Sequence, residues 1–241
     1  MNSLDFNQFI ETYKLGTHGD LQNRVKNGRR CLTQGGVVPG TQVLDIGCGH
    51  DQVLAGEDHK AAFIPRQFEP WDSRLAVWMG AHVTGLDHHN IGPGLHPGPN
   101  GGVWTYEKTD ISKMDWQRFA RQFEIVILNH VVHNTDVHEA STAFSPLVPQ
   151  EGKPKGVEWI EAYEHYRAEL ITKVLSTLQP GGRFIFNHFL YRIQIQSGEQ
   201  SLEPIDETSK KDSSPEMSRY PFQSVSAADQ LRQLKDFWRA L

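Results

Sequence analysis

Residues 45 to 52 read Asp-Ile-Gly-Cys-Gly-His-Asp-Gln. An acid that closes an apolar run, with glycines two and four positions later, brings bare backbone against a ligand. Glycine has no Cβ and accepts positive φ, and a helix after such a turn offers free N–H groups. Gly47, Cys48 and Gly49 would make the turn, and a nucleotide-like ligand suits it. A dinucleotide fingerprint needs another glycine three positions after Gly49, where this chain has Gln52; a nicotinamide or flavin oxidoreductase is therefore the weaker choice.

Two further acids follow at strand-like spacing. Asp87 closes the run His82 to Leu86, and in a doubly wound sheet it lies beside the glycine turn, placed to accept from two ribose hydroxyls. Thr109-Asp110-Ile111 pairs a carboxylate with a backbone N–H, the combination that reads an adenine edge. The chain holds 12 histidines, and His88, His89, His130, His133, His138 and His188 fall just past expected strand ends, where a parallel sheet keeps its site. An imidazole near neutral pKa takes a proton from a hydroxyl or an amine; His133 is the first candidate base, followed by His130 and His188. The plain alternative is that each packs the site wall as a hydrogen-bonded residue. His88 and His89 flank the adenosine side. No metal is expected: His130-x-x-His133 lacks further ligands at a standard spacing, and no cysteine pair supports it.

The elements that must hold these residues follow from hydrophobic pattern. Gln42 to Ile46, Glu124 to Leu128 and Arg183 to Phe189 are compact apolar runs of strands buried on both faces, joined by His82 to Leu86 and Val103 to Lys108. Helical spacing fills Trp71 to Gly80 and Val157 to Leu178, the latter closing at Gln179-Pro180-Gly181-Gly182. Strand–helix alternation gives an α/β fold, a doubly wound and mostly parallel sheet flanked by helices. Residues 1–40 are expected to be an N-terminal helical cap, 41–196 the ligand-binding domain, and 197–241 a polar linker and C-terminal helix of the same domain. Ile91 to Gly102 is read as an exposed loop and Ser197 to Arg219 as a mobile one.

Lys and Arg number 24 against 29 Asp and Glu, a formal charge of -5. No broad basic surface is left for a nucleic acid. Two cysteines, Cys31 and Cys48, do not make a disulfide framework. With no signal-like N-terminus and no membrane-length apolar run, the chain is expected in the cytoplasm, with no membrane contact.

The ordered set of motifs, spanning about Thr41 to Leu190, resembles the class I S-adenosylmethionine-dependent methyltransferases. VLDIGCGH is similar to their first motif, AHVTGLD to the second strand with its ribose acid, TDIS to the adenine acid, FEIVILNHVVHN to the fourth strand and LQPGGRFIF to the turn into the fifth. The resemblance implies methyl transfer from S-adenosylmethionine, leaving S-adenosylhomocysteine, to an oxygen or nitrogen of a small-molecule acceptor. It implies that Gly47, Cys48 and Gly49 line the cofactor, that Asp45 orients its amino-acid end, that Asp87 and His88 stand at the ribose and that Asp110 and Ile111 hold adenine, with Asn129 under the methionine portion.

The departures are also informative. Asn129-His130 is not the Asn/Asp-Pro-Pro-aromatic motif of amino-group methylation of bases or glutamine. Asp51 stands where the family usually has glycine, and aspartate tolerates left-handed geometry or caps a helix. A long excursion near residues 55–70 is expected to form a lid or a surface segment packed on the N-terminal helices. The sixth and seventh strands are either absent or beyond the chain, so the edge of the fifth is expected to be covered by the C-terminal segment or by a second copy in a homodimer. The rival reading is a methyltransferase-like ligand-binding or regulatory protein without turnover.

Overall fold

The structure is a computed structural model that describes residues 3–15, 19–51, 66, 68–89, 100–129, 170–196 and 199–211. Helices α1 (Ser3–Thr12) and α2 (Gly19–Gln34) precede strand β1 (Gln42–Ile46); α3 (Trp71–Trp78), β2 (His82–Asp87), β3 (Val103–Lys108), β4 (Phe123–Leu128), β5 (Leu178–Phe186), β6 (Phe189–Gln196) and β7 (Glu199–Pro204) follow. They form one seven-stranded sheet in the order β3-β2-β1-β4-β5-β6-β7. The strands from β3 to β5 run parallel, and β6 and β7 are added antiparallel. Chain order reverses between β1 and β4, the switch point of a doubly wound sheet, where such folds bind ligands.

Why the central strands are apolar throughout is visible in the packing. Val43, Ile125, Ile127 and Ile185 lie against α1, α2 and α3, in a core with Phe9, Leu21, Val25, Leu32, Trp71 and Leu75. Their neighbours Leu44, Ile46, Val126, Leu128, Phe184 and Phe186 face the other way, onto Ile171, Val174 and Leu175 of the helical residues 170–176. Burial on both faces removes the polar alternation of a surface strand. On α2 the buried stripe of Leu21, Val25 and Leu32 passes through Gly28, where a Cβ would lie 2.1 Å from Asp72 Oδ1. Glycine there lets α2 approach α3 at its first turn.

Four expectations are corrected. The run Arg183 to Phe189 is not one strand: the chain reverses at Asn187 (φ 48°) and His188 (φ 63°) and returns as β6, with Phe186 opposite Phe189. Two successive positive φ values in a two-residue connection make a type I′ hairpin. The polar stretch after residue 197 is not wholly a mobile loop, because 199–204 pairs with β6 as β7. Its polarity is that of an edge strand. The sheet's further strands are therefore present in the chain, built as a meander, and they cover β5 without a second subunit. Gln179-Pro180-Gly181-Gly182, expected to close a helix, lies inside β5 as a register jump: Phe123 pairs Leu178 and Ile125 pairs Arg183. The terminal helix expected over Ser226 to Leu241 and most of the 91–102 loop lie outside the described residues.

Candidate functional site

The glycine turn is fastened to the end of β2. Parallel pairing of Ile46 with Leu86 sets the two strand ends side by side, and the N–H groups of Gly47 and Cys48 both donate to the Leu86 carbonyl, at 2.8 and 3.1 Å. Gly47 (φ 66°) and Gly49 (φ 93°) take the left-handed conformations the spacing called for. At Gly49 no other residue fits, since a Cβ would stand 2.0 Å from the Phe68 carbonyl oxygen. That same oxygen accepts from the His50 N–H at 3.2 Å, so the exit of the long excursion rests against the turn. The excursion's remaining residues, 52–65 and 67, lie outside the described residues. Cys48 is buried, and burial with the charges of Asp45 and Asp87 pushes its thiol well above the ordinary range. It is a packing residue, not a thiolate.

Asp87 is the centre of this edge. Its Oδ2 accepts from the Gly49 N–H at 2.9 Å, and its Oδ1 from the His89 N–H at 3.1 Å, with the His89 ring Nδ1 at 2.6 Å. Burial by itself would raise the carboxyl's pKa; the hydrogen bonds from the His89 ring and from the Gly49 and His89 N–H groups outweigh it and hold the pKa below the ordinary value. The group is an ionised, buried acceptor. His89 stacks on His50 with ring centroids 3.7 Å apart, and His88 is 4.0 Å from His89. His88 points mostly to solvent and its pKa is lowered, first by burial and then by His89. Asp110 reaches the same edge, since Thr109 donates to the Asp87 carbonyl at 2.8 Å, and its carboxylate lies 3.6 Å from Lys113 Nζ. Ile111 opens the short 3-10 turn that follows.

A second, buried polar network lies under β1 and β4. Asp45 shares the face of Val43, so its carboxylate turns toward α3 and accepts from the Ser73 hydroxyl. Burial, reinforced by the charge of Asp72 and opposed by the Ser73 bond and Arg24, raises its pKa to about 8. Asn129 donates to Asp72 at 2.8 Å and accepts from the His188 N–H at 3.0 Å. His188 is also pinned through its carbonyl, which accepts from Arg30 at 2.5 Å and from the Cys31 thiol at 3.0 Å. Burial lowers the pKa of its ring, so the imidazole is neutral at neutral pH.

Of the residues chosen from sequence, Gly47, Cys48, Gly49, Asp87, His88, Asp110 and Ile111 meet on the β1–β2–β3 edge. Asp45, Asn129 and His188 join a different constellation, on the α2–α3 side of β1, β4 and β5. His130 and His133 lie outside the described residues. Asp51 does not take the left-handed backbone allowed for it; its carboxylate stands 3.4 Å from Arg74, which is buried between the rings of Tyr13 and Trp71 and paired with Glu69. Sequence reasoning passed over Asp72, Ser73, Arg24 and His50. The first three sit on helices whose apolar stripe drew the reading, and nothing in their spacing marks them. His50 was visible as the residue directly after the glycines.

Strand order, switch point and glycine turn define a doubly wound α/β fold with a ligand-binding edge at the β1 turn. No protein-family model matches the sequence, and no curated protein matches it. Among solved structures, the chain is similar to a TehB-like S-adenosylmethionine-dependent methyltransferase from Corynebacterium glutamicum, at 14% identity and a TM-score of 0.32, over 66% of this chain and 60% of that one. It is also similar to the complex of the Haloferax volcanii Trm112 methyltransferase activator with a candidate methyltransferase, at 13% identity and a TM-score of 0.30, over 69% of this chain and 54% of that one. The match thus spans little more than half the length of these proteins.

Proposed function

We propose that the chain is an S-adenosylmethionine-dependent methyltransferase acting on an oxygen or nitrogen of a small molecule. One observation carries the reading: an ionised acid at the end of β2, hydrogen-bonded to the N–H of the second glycine of the β1 turn at 2.9 Å, at the switch point of a doubly wound sheet. The residues fit the cofactor. Two donors from His89, an N–H and a ring nitrogen, now face Asp87 Oδ1, and a vicinal diol presents two donors of the same kind. Asp110 and the N–H of Ile111 would take the adenine edge, and the backbone of Gly47 and Gly49 the remainder.

When bound, the cofactor supplies an electrophilic methyl group for in-line displacement; the chain contributes alignment and exclusion of water. An acceptor that must lose a proton needs a base; His133 is the first candidate for that task, followed by His130 and by His188, whose ring is neutral. Arg74, 3.4 Å from the Asp51 carboxylate, offsets part of the repulsion that charge would exert on the cofactor's carboxylate, which supports cofactor binding. The formal charge of -5 supports a small acceptor rather than a nucleic acid. Calorimetry with S-adenosylmethionine and S-adenosylhomocysteine, followed by a screen of metabolites for uptake of a labelled methyl group, tests the proposal. Absence of binding to both nucleosides refutes it; binding with no acceptor labelled across the screen favours the rival.

A further inference from the structure

His50, Asp87 and His89 each offer a ligand atom, all within 4.8 Å of one another. His50 leaves the β1 turn and His89 follows β2, so strand pairing brings them together. His50 and Asp87 are buried while His89 is half-buried, which leaves the trio open on one side. We infer that these side chains bind one divalent cation of the imidazole-preferring class, such as zinc or cobalt(II). Two imidazoles and a carboxylate form a mixed nitrogen and oxygen set, which suits those ions; calcium and magnesium take sites built from oxygens.

Three protein ligands leave one position of a tetrahedral ion open to water or an exchanging ligand. Metal bonds of about 2.0 to 2.2 Å at tetrahedral angles set donor atoms roughly 3.3 to 3.6 Å apart, so a set spread over as much as 4.8 Å must contract around the ion. Rotation of the His89 ring, which gives up its hydrogen bond to Asp87 Oδ1, would bring a ring nitrogen toward such an ion. The His50 and His89 rings lie 20° from parallel, and lone pairs in nearly parallel ring planes converge on one ion only when a ring tilts. The site shares Asp87 with the proposed sugar contact but does not depend on it, because the metal alone is the probe.

Full-length protein stripped with chelator and titrated with Co²⁺ should take up one ion per chain and show the visible bands of a four-coordinate centre. Loss of an outer partner alone costs about tenfold or more in metal affinity, so His50→Gln and His89→Gln should each weaken binding by at least about tenfold. His82→Gln, exposed at the opposite end of β2, should leave it unchanged. If a variant fails to fold, nitrogen-15 NMR of wild-type histidines decides: Zn²⁺ should shift the ring nitrogens of His50 and His89. Wild-type cobalt affinity in both folded variants, a zinc response confined to other histidines, or no stoichiometric uptake overturns the assignment. A chain that binds metal but neither nucleoside would sink the methyltransferase reading and leave this one standing.

Discussion

Asparagine in place of Asp45 tests the buried network under β1. In the folded chain this carboxyl titrates near 8 instead of 3.8, because burial and the charge of Asp72 oppose its ionisation. Between those values the folded chain keeps a proton that the unfolded chain has released, so stability contributed at this position falls as pH rises through the window. The Asp45→Asn variant has no proton to lose and keeps an oxygen for the Ser73 hydroxyl. At about 1.4 kcal/mol per pH unit, wild type should lose roughly 2 to 3 kcal/mol relative to the variant between about pH 5 and about pH 7. Other titrating groups are common to both proteins and cancel, as does any constant cost of fitting the amide. Urea unfolding of the pair across that range measures the difference. If it stays constant with pH, Asp45 is ionised in the fold and the electrostatic account of the network is wrong.

Other consequences can be checked with single substitutions. His188→Gly should be more stable than His188→Ala by about 1 kcal/mol, since both remove the ring but only alanine keeps the penalty of positive φ; equal thermal unfolding of the two would deny the strained hairpin. Gly28→Ala should destabilise by about 1 kcal/mol net despite alanine's better helix propensity, because its Cβ displaces the Asp72 carboxylate that Asn129 bonds; denaturant melts showing a gain would refute the contact. Asp87→Ala should weaken S-adenosylhomocysteine binding by about 1 to 3 kcal/mol, and unchanged calorimetric affinity would remove Asp87 from the cofactor site. Burial raises the Cys31 thiol to about 12 and pushes that of Cys48 well above its ordinary range, so iodoacetamide should label both only after unfolding; native-state labelling of Cys48 would contradict the packed turn.

What could be read from the sequence divides along physical lines. β1 and β4 are legible because burial on both faces leaves an unbroken apolar run, and the turn at Gly47 to Gly49 because its backbone demands glycine. The reversal at Asn187-His188 was hidden because a type I′ turn announces itself by Asn-Gly, and here histidine holds the glycine position at the cost of strain. β7 was hidden for a different reason: Glu199–Pro204 has little strand propensity of its own, and its conformation comes from the ladder that β6 offers it. Asp45 is the most instructive case. Strand parity alone places it on the face of Val43, opposite Leu44 and Ile46, so its carboxylate had to enter one of the two helix-covered layers. Which layer, and that Ser73, Asp72 and Arg24 would be waiting there, depended on the packing of α2 against α3. In that packing the missing Cβ of Gly28 leaves room for the Asp72 carboxylate, a contact between helices that no local pattern encodes. The glycine motif therefore marks where a ligand can approach, while the chemistry beneath it is set by tertiary neighbours.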